Sequence, residues 1–417
     1  MHVVFVTTEL ASSNSSSGGL ASFTANIARI FKENGNQVSI ILVSTKEINI
    51  DFDDGIDLYT IYVPMKIWKC IDKYATLAAP ILKENKDILR RLIMLKYKSF
   101  KTRWLIRNIH RNNPINIIHC SHHISVQGAL TRNIPYVVRL SCLGNIWRGA
   151  NTVKGNVGYI ENSLSIIDRF EEDIIKASRY VVAPSYLLAG IVQDNMGVNV
   201  NVIESPFVLR NQDWDDSVLE QYSLKDKKYI IHYGGLRYFK GTHIVAELAE
   251  SLLQKNPDLY LVLAGNSGNM SDEHGNIIRA HEMVEQGAGE CADRFIYVGK
   301  LVREQLYPLI QNSELCLLPS RMENLANACI EAMAMGKIVV ATDGASYEQL
   351  IDNEVNGFLC ERDNPESFLQ GIGKALSLND EEKGLMECKA METVKRLSPD
   401  NIYKQYSNFY EKAIKGW

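Results

Sequence analysis

Two glutamates eight residues apart, Glu323 and Glu331, are the residues whose type and spacing most directly suggest chemistry. This spacing exceeds two helical turns, so we expect Glu323 in a loop and Glu331 on the helix that follows. The first turn of that helix would present unpaired backbone N–H groups and the positive end of the helix dipole, which suit a diphosphate. A nearby carboxylate suits sugar hydroxyls. By spacing alone, both glutamates could equally be solvated helix charges.

A glycine pair, Gly18 and Gly19, follows the polar run Asn14-Ser-Ser-Ser17 and leads into a helix predicted over residues 21–34. Glycine lets a backbone approach a ligand closely. The pair could therefore meet a donor phosphate or an acceptor. It could equally be an ordinary turn between a strand and a helix.

Three histidines, His119, His122 and His123, lie at the end of a strand predicted over residues 115–119. They could supply an imidazole to a ligand-binding cleft. No carboxylate completes a metal-binding set around them, and such a local cluster more often caps a strand. We therefore expect no metal.

The elements that must position these residues are short apolar strands alternating with helices, an order that predicts parallel sheets. The predicted strands form two series, residues 3–7, 38–43, 115–119, 136–140 and 180–183, then 228–235, 259–265, 294–299, 315–319 and 337–341. Ligands of such sheets bind at the carboxyl ends of the strands. We expect an α/β protein with two Rossmann-like domains facing a central cleft, over residues 1–205 and 206–398. A helix at about 399–417 should pack back on the first domain.

Composition agrees with a two-domain protein of ordinary globular type. A chain of 417 residues exceeds the size at which one hydrophobic core stops growing. The eight cysteines are spread singly, which is typical of reduced thiols in a cytosol. The first residues lack the features of a secretion signal, and no apolar run approaches the roughly 20 residues of a spanning helix. We expect a cytoplasmic protein, at most peripheral at the inner face of the cell membrane.

The run from Pro319 to Thr342 resembles a known family signature. It reads Pro-Ser-Arg-Met-Glu-Asn-Leu-Ala-Asn-Ala-Cys-Ile-Glu-Ala-Met-Ala-Met-Gly-Lys-Ile-Val-Val-Ala-Thr. It is similar to the Glu-x7-Glu signature of family 4 of the retaining glycosyltransferases with the GT-B fold, the glycosyl transferases group 1. The resemblance extends to Gly344-Ala-Ser-Tyr-Glu348, Asn356-Gly-Phe358, Gly234–Gly241, Gly18-Gly-Leu20 and Val182-Ala-Pro-Ser185.

The resemblance implies roles for the residues of the motif. Glu323 would contact the donor sugar at its reacting end, and Glu331 would hold the ribose hydroxyls. The backbone of Leu325, Ala326 and Asn327 would meet the diphosphate and the sugar, with Ala326 standing where many relatives have glycine. Lys240 would be the cation on the phosphates, because a leaving diphosphate needs its charge neutralised. The nucleobase would contact backbone near Lys300.

Two positions depart from the family pattern. Gly235 stands where the family has arginine, and Arg237, two residues later, could replace that arginine or could be an ordinary surface residue. Ser141 stands where many relatives have a histidine that faces the cleft, so the acceptor side would rest on Gly18, His122 and Ser141 with no assigned imidazole.

The function that this resemblance implies is retaining transfer of a hexose or N-acetylhexosamine from a UDP- or GDP-linked donor to a glycan or lipid-linked glycan. Polysaccharide assembly at the cell surface would be its setting. The nucleotide sugar is a co-substrate, and no cofactor is expected. Two alternatives remain, a sugar-nucleotide epimerase on the same scaffold and a glycan-binding protein with a decayed site. The departures at Gly235 and Ser141 motivate the second.

A basic segment extends from Lys83 to Arg111, with ten lysines and arginines against Glu84 and Asp87. Apolar residues recur through residues 81–109 at roughly helical spacing, which predicts a cationic amphipathic helix. Such a helix could line the acceptor side or rest on an anionic membrane, or it could be an ordinary solvated face. Nucleic acid is not expected as a partner, because no aromatic platform accompanies the charge.

Overall fold

Two parallel sheets, each in a separate unit of the chain, organise the computed structural model. The structure describes residues 1–11, 18–44, 52, 55–82, 85–151, 159, 164–209, 214–271 and 275–417. The first unit comprises Met1–Leu143, Ile160–Pro206 and Pro399–Trp417. The second unit comprises Gly144–Tyr159 and Phe207–Ser398. The prediction of an α/β protein with two parallel sheets is confirmed.

Seven parallel strands form the sheet of the first unit. They are β1 (His2–Thr7), β2 (Gln37–Val43), β3 (Asp57–Ile61), β4 (Ile117–Ser121), β5 (Tyr136–Arg139), β6 (Val181–Ala183) and β7 (Val200–Val202). Their order is β3-β2-β1-β4-β5-β6-β7, so the switch point, where the strand order reverses direction, lies between β1 and β4. Every residue of β1 is buried, as expected for a strand covered on both faces.

Helices cover both faces of this sheet. They are α1 (Gly19–Glu33), α2 (Met65–Leu82), α3 (Lys86–Asn112), α5 (Ile166–Lys176), α6 (Tyr186–Met196) and α14 (Pro399–Lys415). Helices α1 and α14 pack together on one face with Phe23, Phe31 and Tyr410 in their shared core. Helix α3 packs on the other face through Ile106 and Ile109.

The second unit repeats this design with six parallel strands. They are β8 (Lys228–Tyr233), β9 (Leu259–Ala264), β12 (Phe295–Gly299), β13 (Leu315–Leu318), β14 (Val339–Thr342) and β15 (Phe358–Cys360). The order is β12-β9-β8-β13-β14-β15, and the switch point lies between β8 and β13. A small antiparallel pair, β10 (Asn269–Ser271) and β11 (Ile277–Arg279), lies apart from this sheet.

Eight helices surround the second sheet within the described residues. They are α4 (Gly144–Ala150), α7 (Ser217–Gln221), α8 (Thr242–Lys255), α9 (Ala280–Gly287), α10 (Arg303–Gln311), α11 (Asn327–Ala334), α12 (Pro365–Ser377) and α13 (Asp380–Val394). A 3-10 helix, Tyr238–Lys240, follows β8. Gly241 ends it at φ 73°, where a side chain would overlap the Pro319 carbonyl after β13. Glycine at this position therefore lets the loops after β8 and β13 touch.

The structure corrects three sequence-based expectations. Strand β4 covers Ile117–Ser121, two residues later than predicted. The amphipathic region of residues 81–109 is two helices, because α2 ends at Leu82 and the Asn85 side chain caps α3 by accepting from the Asp87 N–H at 2.8 Å. Lys83 and Glu84 lie outside the described residues. The segment Gly144–Tyr159, expected in the first domain, belongs to the second unit.

Candidate functional site

The site is built on the loop after β13 and on the helix that follows it. Helix α11 begins at Asn327, so Glu323 lies in the loop and Glu331 on the helix, as their spacing predicts. No side chain caps the helix N-terminus, and the first N–H groups of a helix lack partners within it. Leu325 and Ala326, just before the helix, have buried side chains. The backbone there combines free donors with the positive end of the helix dipole and can bind an anion.

An ion pair joins Lys240 to Glu323 at the switch point of this sheet. The Lys240 ammonium donates to Oε1 of Glu323, across the contact between the loops after β8 and β13. Both side chains are largely buried, with 25% and 12% of their surface exposed. The Glu323 N–H donates to the Ala345 carbonyl at 3.1 Å, which fixes the backbone below the pair. The charges of the Lys240 ammonium and the Glu323 carboxylate thus neutralise each other.

A second charged network supports this pair from below. Arg321 is buried, and its Nε lies 2.9 Å from both carboxylate oxygens of Asp363. Its backbone N–H donates to the Phe239 carbonyl at 2.8 Å, which ties the loop of Glu323 to the 3-10 helix of Lys240. Burial acts to raise the pKa of Asp363, but hydrogen bonds from His243 and Arg321 outweigh it, and the pKa lies below its usual value.

Sequence reasoning gave this network no role, although Arg321 lies inside the recognised motif. Asp363 lies 42 residues along the chain from its partner Arg321. His243 lies 120 residues from its partner Asp363. Such long-range pairings leave no spacing in the sequence. The sequence did offer Arg321 itself as a clue, because it is a charged residue shortly after the buried strand β13.

Glu331 is buried and has only weak partners. Its Oε1 lies 3.4 Å from the Tyr307 hydroxyl and 3.6 Å from a guanidinium nitrogen of Arg303. Burial raises the pKa of Glu331, while Arg303 and Tyr307 oppose that change. A carboxylate has about four lone-pair sites, so most of the acceptor capacity of Glu331 stays available to ligand hydroxyls. Arg303 and Tyr307, on α10 after β12, were not identified from the sequence.

Three further donor-side predictions have different structural settings. Gly235 is exposed, and a side chain there would meet open space, so no neighbour fills the place of the family's arginine. The Arg237 side chain lies against Gly268, and its backbone carbonyl accepts from the Lys240 N–H at 3.1 Å. Lys300 is exposed in a bend after β12. The structure pairs the Lys240 side chain with Glu323. The roles of Gly235, Arg237 and Lys300 stay predictions.

The acceptor-side predictions all fall in the first unit. Gly18 precedes α1, and Gly19 is its first residue. The preceding Asn14–Ser17 run lies outside the described residues. The backbone N–H of Ser141 donates to Nδ1 of the buried His122 at 3.4 Å, so an imidazole lies beside the position where relatives carry histidine. Burial, and then the neighbouring His123, lower the pKa of His122 well below its usual value.

The described residues contain no group of three or more potential metal ligands. Two Asp-x-Asp triplets occur in the chain, Asp51-Phe52-Asp53 and Asp213-Trp214-Asp215. Asp51, Asp53 and Asp213 lie outside the described residues. The absence of a metal stays a prediction.

Comparison with known proteins shows which family the segment that contains this site resembles. Residues 218–389 match the family model of Glycosyl transferases group 1, a range that includes Lys240, Glu323 and Glu331. An uncharacterized glycosyltransferase of Methanocaldococcus jannaschii is 23% identical over 408 residues, with 95% of each chain covered.

Two solved structures resemble the fold along essentially its full length. Sucrose-phosphate synthase from Thermosynechococcus elongatus has a TM-score of 0.73 at 15% identity, with 100% of each chain covered. HepE from Anabaena, in complex with UDP and glucose, has a TM-score of 0.65 at 15% identity, with 99% of this chain and 100% of HepE covered. At these identities the likeness concerns the fold, which is GT-B.

Proposed function

We propose that this chain, as a group 1 glycosyltransferase of the GT-B fold, transfers a sugar from a nucleoside diphosphate to a glycan. The acceptor is a glycan or lipid-linked glycan in cell-surface polysaccharide assembly. The anomeric configuration is retained, as the family resemblance implies. The observation that supports this proposal best is the pair of Lys240 and Glu323 beside the uncapped N-terminus of α11.

The chemistry of the step gives each of these groups a task. The bond from the anomeric carbon to the diphosphate oxygen breaks, and a bond to the acceptor oxygen forms as the acceptor hydroxyl passes its proton to the departing diphosphate oxygen. The diphosphate leaves with the bonding electrons, so its negative charge grows in the transition state. Lys240 and the N–H groups of Ala326 and Asn327 would stabilise that charge. The N-terminus of α11 is in place before the donor binds, whereas Lys240 must leave Glu323 to reach the diphosphate.

Donor binding must rearrange the ion pair. A diphosphate that draws Lys240 toward itself releases the carboxylate of Glu323, which then becomes an acceptor for the hydroxyls of the donor sugar. Glu331 would accept from the ribose hydroxyls at the other end of the donor. Without a donor, Lys240 and Glu323 thus neutralise each other. When the donor binds, its diphosphate replaces Glu323 as the partner of Lys240, and its sugar hydroxyls replace Lys240 as the partners of Glu323.

A decayed, purely glycan-binding site is disfavoured by the intact Lys240–Glu323 pair. A protein that only bound glycan would not need a lysine and a glutamate held at the edge of a parallel sheet of the kind that binds nucleotides. A sugar-nucleotide epimerase on the same scaffold would use the same donor groups, and product analysis separates it from a transferase.

The direct test is release of nucleoside diphosphate from a panel of UDP- and GDP-sugars, with and without a chelator. UDP-glucose is the first donor to try, because the GT-B structure of HepE contains UDP and glucose. We expect release with at least one donor, and we expect Glu331→Ala to abolish donor binding. Glu285→Ala, an exposed glutamate on α9, is the matched control. Wild-type donor affinity and turnover in Glu331→Ala would refute the site.

We also propose that the first unit rests peripherally on an anionic membrane, where a lipid-linked acceptor would be presented. Phe100 and Trp104 on α3 are 68% and 54% exposed and lie one helical turn apart. Arg103 and Arg107 are exposed on the same stretch of helix. Paired aromatic and basic side chains of this kind suit a lipid interface. None of the described helices is long and apolar enough to span a membrane.

A further inference from the structure

The first unit has a switch point of its own, between β1 and β4, and a small cavity lies there. Its walls come from the carboxyl ends of β1, β4 and β5 and from the first turns of α1. The lining residues with polar or aromatic groups are Phe5, Thr7, Phe23, Thr24, His119, Ser121 and Arg139. Parallel sheets bind ligands at such a crevice, and in the second unit the equivalent place holds Lys240 and Glu323.

Arg139 brings a positive charge into this cavity without a counter-ion. Its side chain is buried, with 5% of the residue exposed, and among the described residues it forms no ion pair with a carboxylate. One terminal nitrogen donates to Oγ of Ser205 at 2.9 Å, and the other lies 3.5 Å from the Leu140 carbonyl. Its Nε makes no hydrogen bond. The guanidinium also interacts with the buried Tyr406 hydroxyl: burial raises the pKa of that tyrosine, and Arg139 opposes the change. The Phe23 ring covers the guanidinium at 3.7 Å.

An unpaired guanidinium inside a protein is unfavourable, because its loss of hydration is not repaid by a nearby negative charge. Buried charges are normally paired, and an exception of this kind calls for an explanation. A ligand that carries the missing negative charge would provide one. Arginine suits this task, since its planar group offers several donors to a carboxylate or phosphate.

The rest of the cavity wall also favours an oxyanion. Nε2 of His119 has no partner. Thr7 and Ser121 contribute buried hydroxyls, of which the first donates to the Glu9 carbonyl at 2.9 Å and the second lies 2.9 Å from Nδ1 of His123. Nδ1 of His119 is occupied by the Tyr410 hydroxyl at 2.6 Å. Burial, together with the charge of Arg139, lowers the pKa of His119 well below its usual value, so the imidazole is neutral and Arg139 alone carries charge. No carboxylate lines the cavity.

We propose that this cavity is a subsite for one oxyanion, a carboxylate or a phosphate, that the sugar acceptor carries. The cavity has room for about one water molecule, so one oxygen of the anionic group reaches Arg139 while the rest of that group and the sugar ring stay outside. The identification of the ligand as an acceptor rests on the proposed function, in which the first unit binds the acceptor. The acceptor would then be an acidic or phosphorylated glycan.

The test measures anion binding at Arg139 with the donor site weakened. In a Lys240→Gln background, sodium phosphate, sodium glucuronate and neutral glucose are titrated at constant ionic strength while the melting temperature is followed. We expect phosphate, glucuronate or both to raise the melting temperature saturably, and glucose to have no effect. Adding Arg139→Gln should weaken the apparent affinity at least tenfold. Arg91→Gln, an exposed arginine of the same unit, should leave it unchanged.

Each outcome has a defined meaning. A response to phosphate alone supports a phosphorylated acceptor, and a response to glucuronate alone supports an acidic sugar. No response to either anion, or an equal response after Arg139→Gln, overturns the proposal. If Arg139→Gln fails to fold, Leu20→Phe blocks the same cavity from α1 and leaves Arg139 in place. UDP affinity is measured in parallel on the wild-type and Arg139→Gln proteins, so a failure of donor binding is recognised separately.

Discussion

Replacement of Glu331 by glutamine should show whether its carboxylate binds ribose or merely supports the fold. The contacts of Glu331 with Tyr307 and Arg303, at 3.4 and 3.6 Å, are long, so the substitution removes little that stabilises the protein. Hydrogen bonds to a charged group contribute about 1.5–3 kcal/mol each. Loss of one such bond to a ribose hydroxyl should weaken UDP binding roughly 10- to 150-fold.

Calorimetric titration with UDP and with 2′-deoxy-UDP provides the specific assay. The wild-type protein should prefer UDP, because Glu331 accepts from the 2′-hydroxyl. Glu331→Gln should bind the two nucleotides with nearly equal affinity. Glu285→Gln, on the exposed face of α9, should keep the wild-type preference.

The pH dependence of stability gives an independent check. Because burial raises the pKa of Glu331, the folded protein binds the proton more tightly than the unfolded chain does. Stability from this group therefore falls as the pH rises from the ordinary glutamate pKa through the raised one. Glu331→Gln should melt at or above the wild-type temperature at neutral pH, and the difference should shrink in acid. A variant that keeps the wild-type ratio of UDP to 2′-deoxy-UDP affinity would refute the ribose assignment.

Three other variants test separate parts of the structure. Lys240→Gln should weaken UDP binding by about 1.5–3 kcal/mol and leave uridine binding unchanged in the same titration, because only UDP carries the diphosphate; equal losses for both ligands would contradict the phosphate role. Asp363→Asn should lower stability at neutral pH by about 1–2 kcal/mol in urea unfolding, after allowance for its partial exposure. Since the pKa of Asp363 is lowered on folding, that loss should disappear as the pH falls through the folded pKa, and a loss independent of pH would argue against the Arg321 pair. Phe100→Ser combined with Trp104→Ser should reduce co-sedimentation with phosphatidylglycerol vesicles at least tenfold, as expected from the lost apolar burial, while unchanged binding would exclude this helix as the contact.

The fold was predictable from the sequence because its signals are local. Buried strands such as β1 and β13 are continuous apolar runs, and the Glu323–Glu331 spacing by itself places one residue in a loop and the other on α11. Strands β3, β7, β10, β11 and β15 were missed. They are short, and none is an uninterrupted run of buried residues.

The parts of the site that the sequence did not reveal depend on contacts between distant segments. Arg303 reaches Glu331 from a different helix, and Asp363 reaches Arg321 from the end of another strand. The open space around Gly235 could not be predicted either, because it depends on which neighbours fail to fill it.

The discontinuity of the first unit has a consequence for the order in which the protein folds. Residues 399–417 are synthesised after the whole second unit, yet α14 supplies Tyr406, Phe409 and Tyr410 to the core beneath β1 and β4. On the ribosome, the second unit can therefore finish folding while the first still lacks one wall of its core. Nδ1 of His119 lacks its partner, the Tyr410 hydroxyl, until then. A nascent chain that is interrupted before residue 399 would carry a folded second unit and an incomplete first unit, whose exposed core chaperones and proteases would recognise.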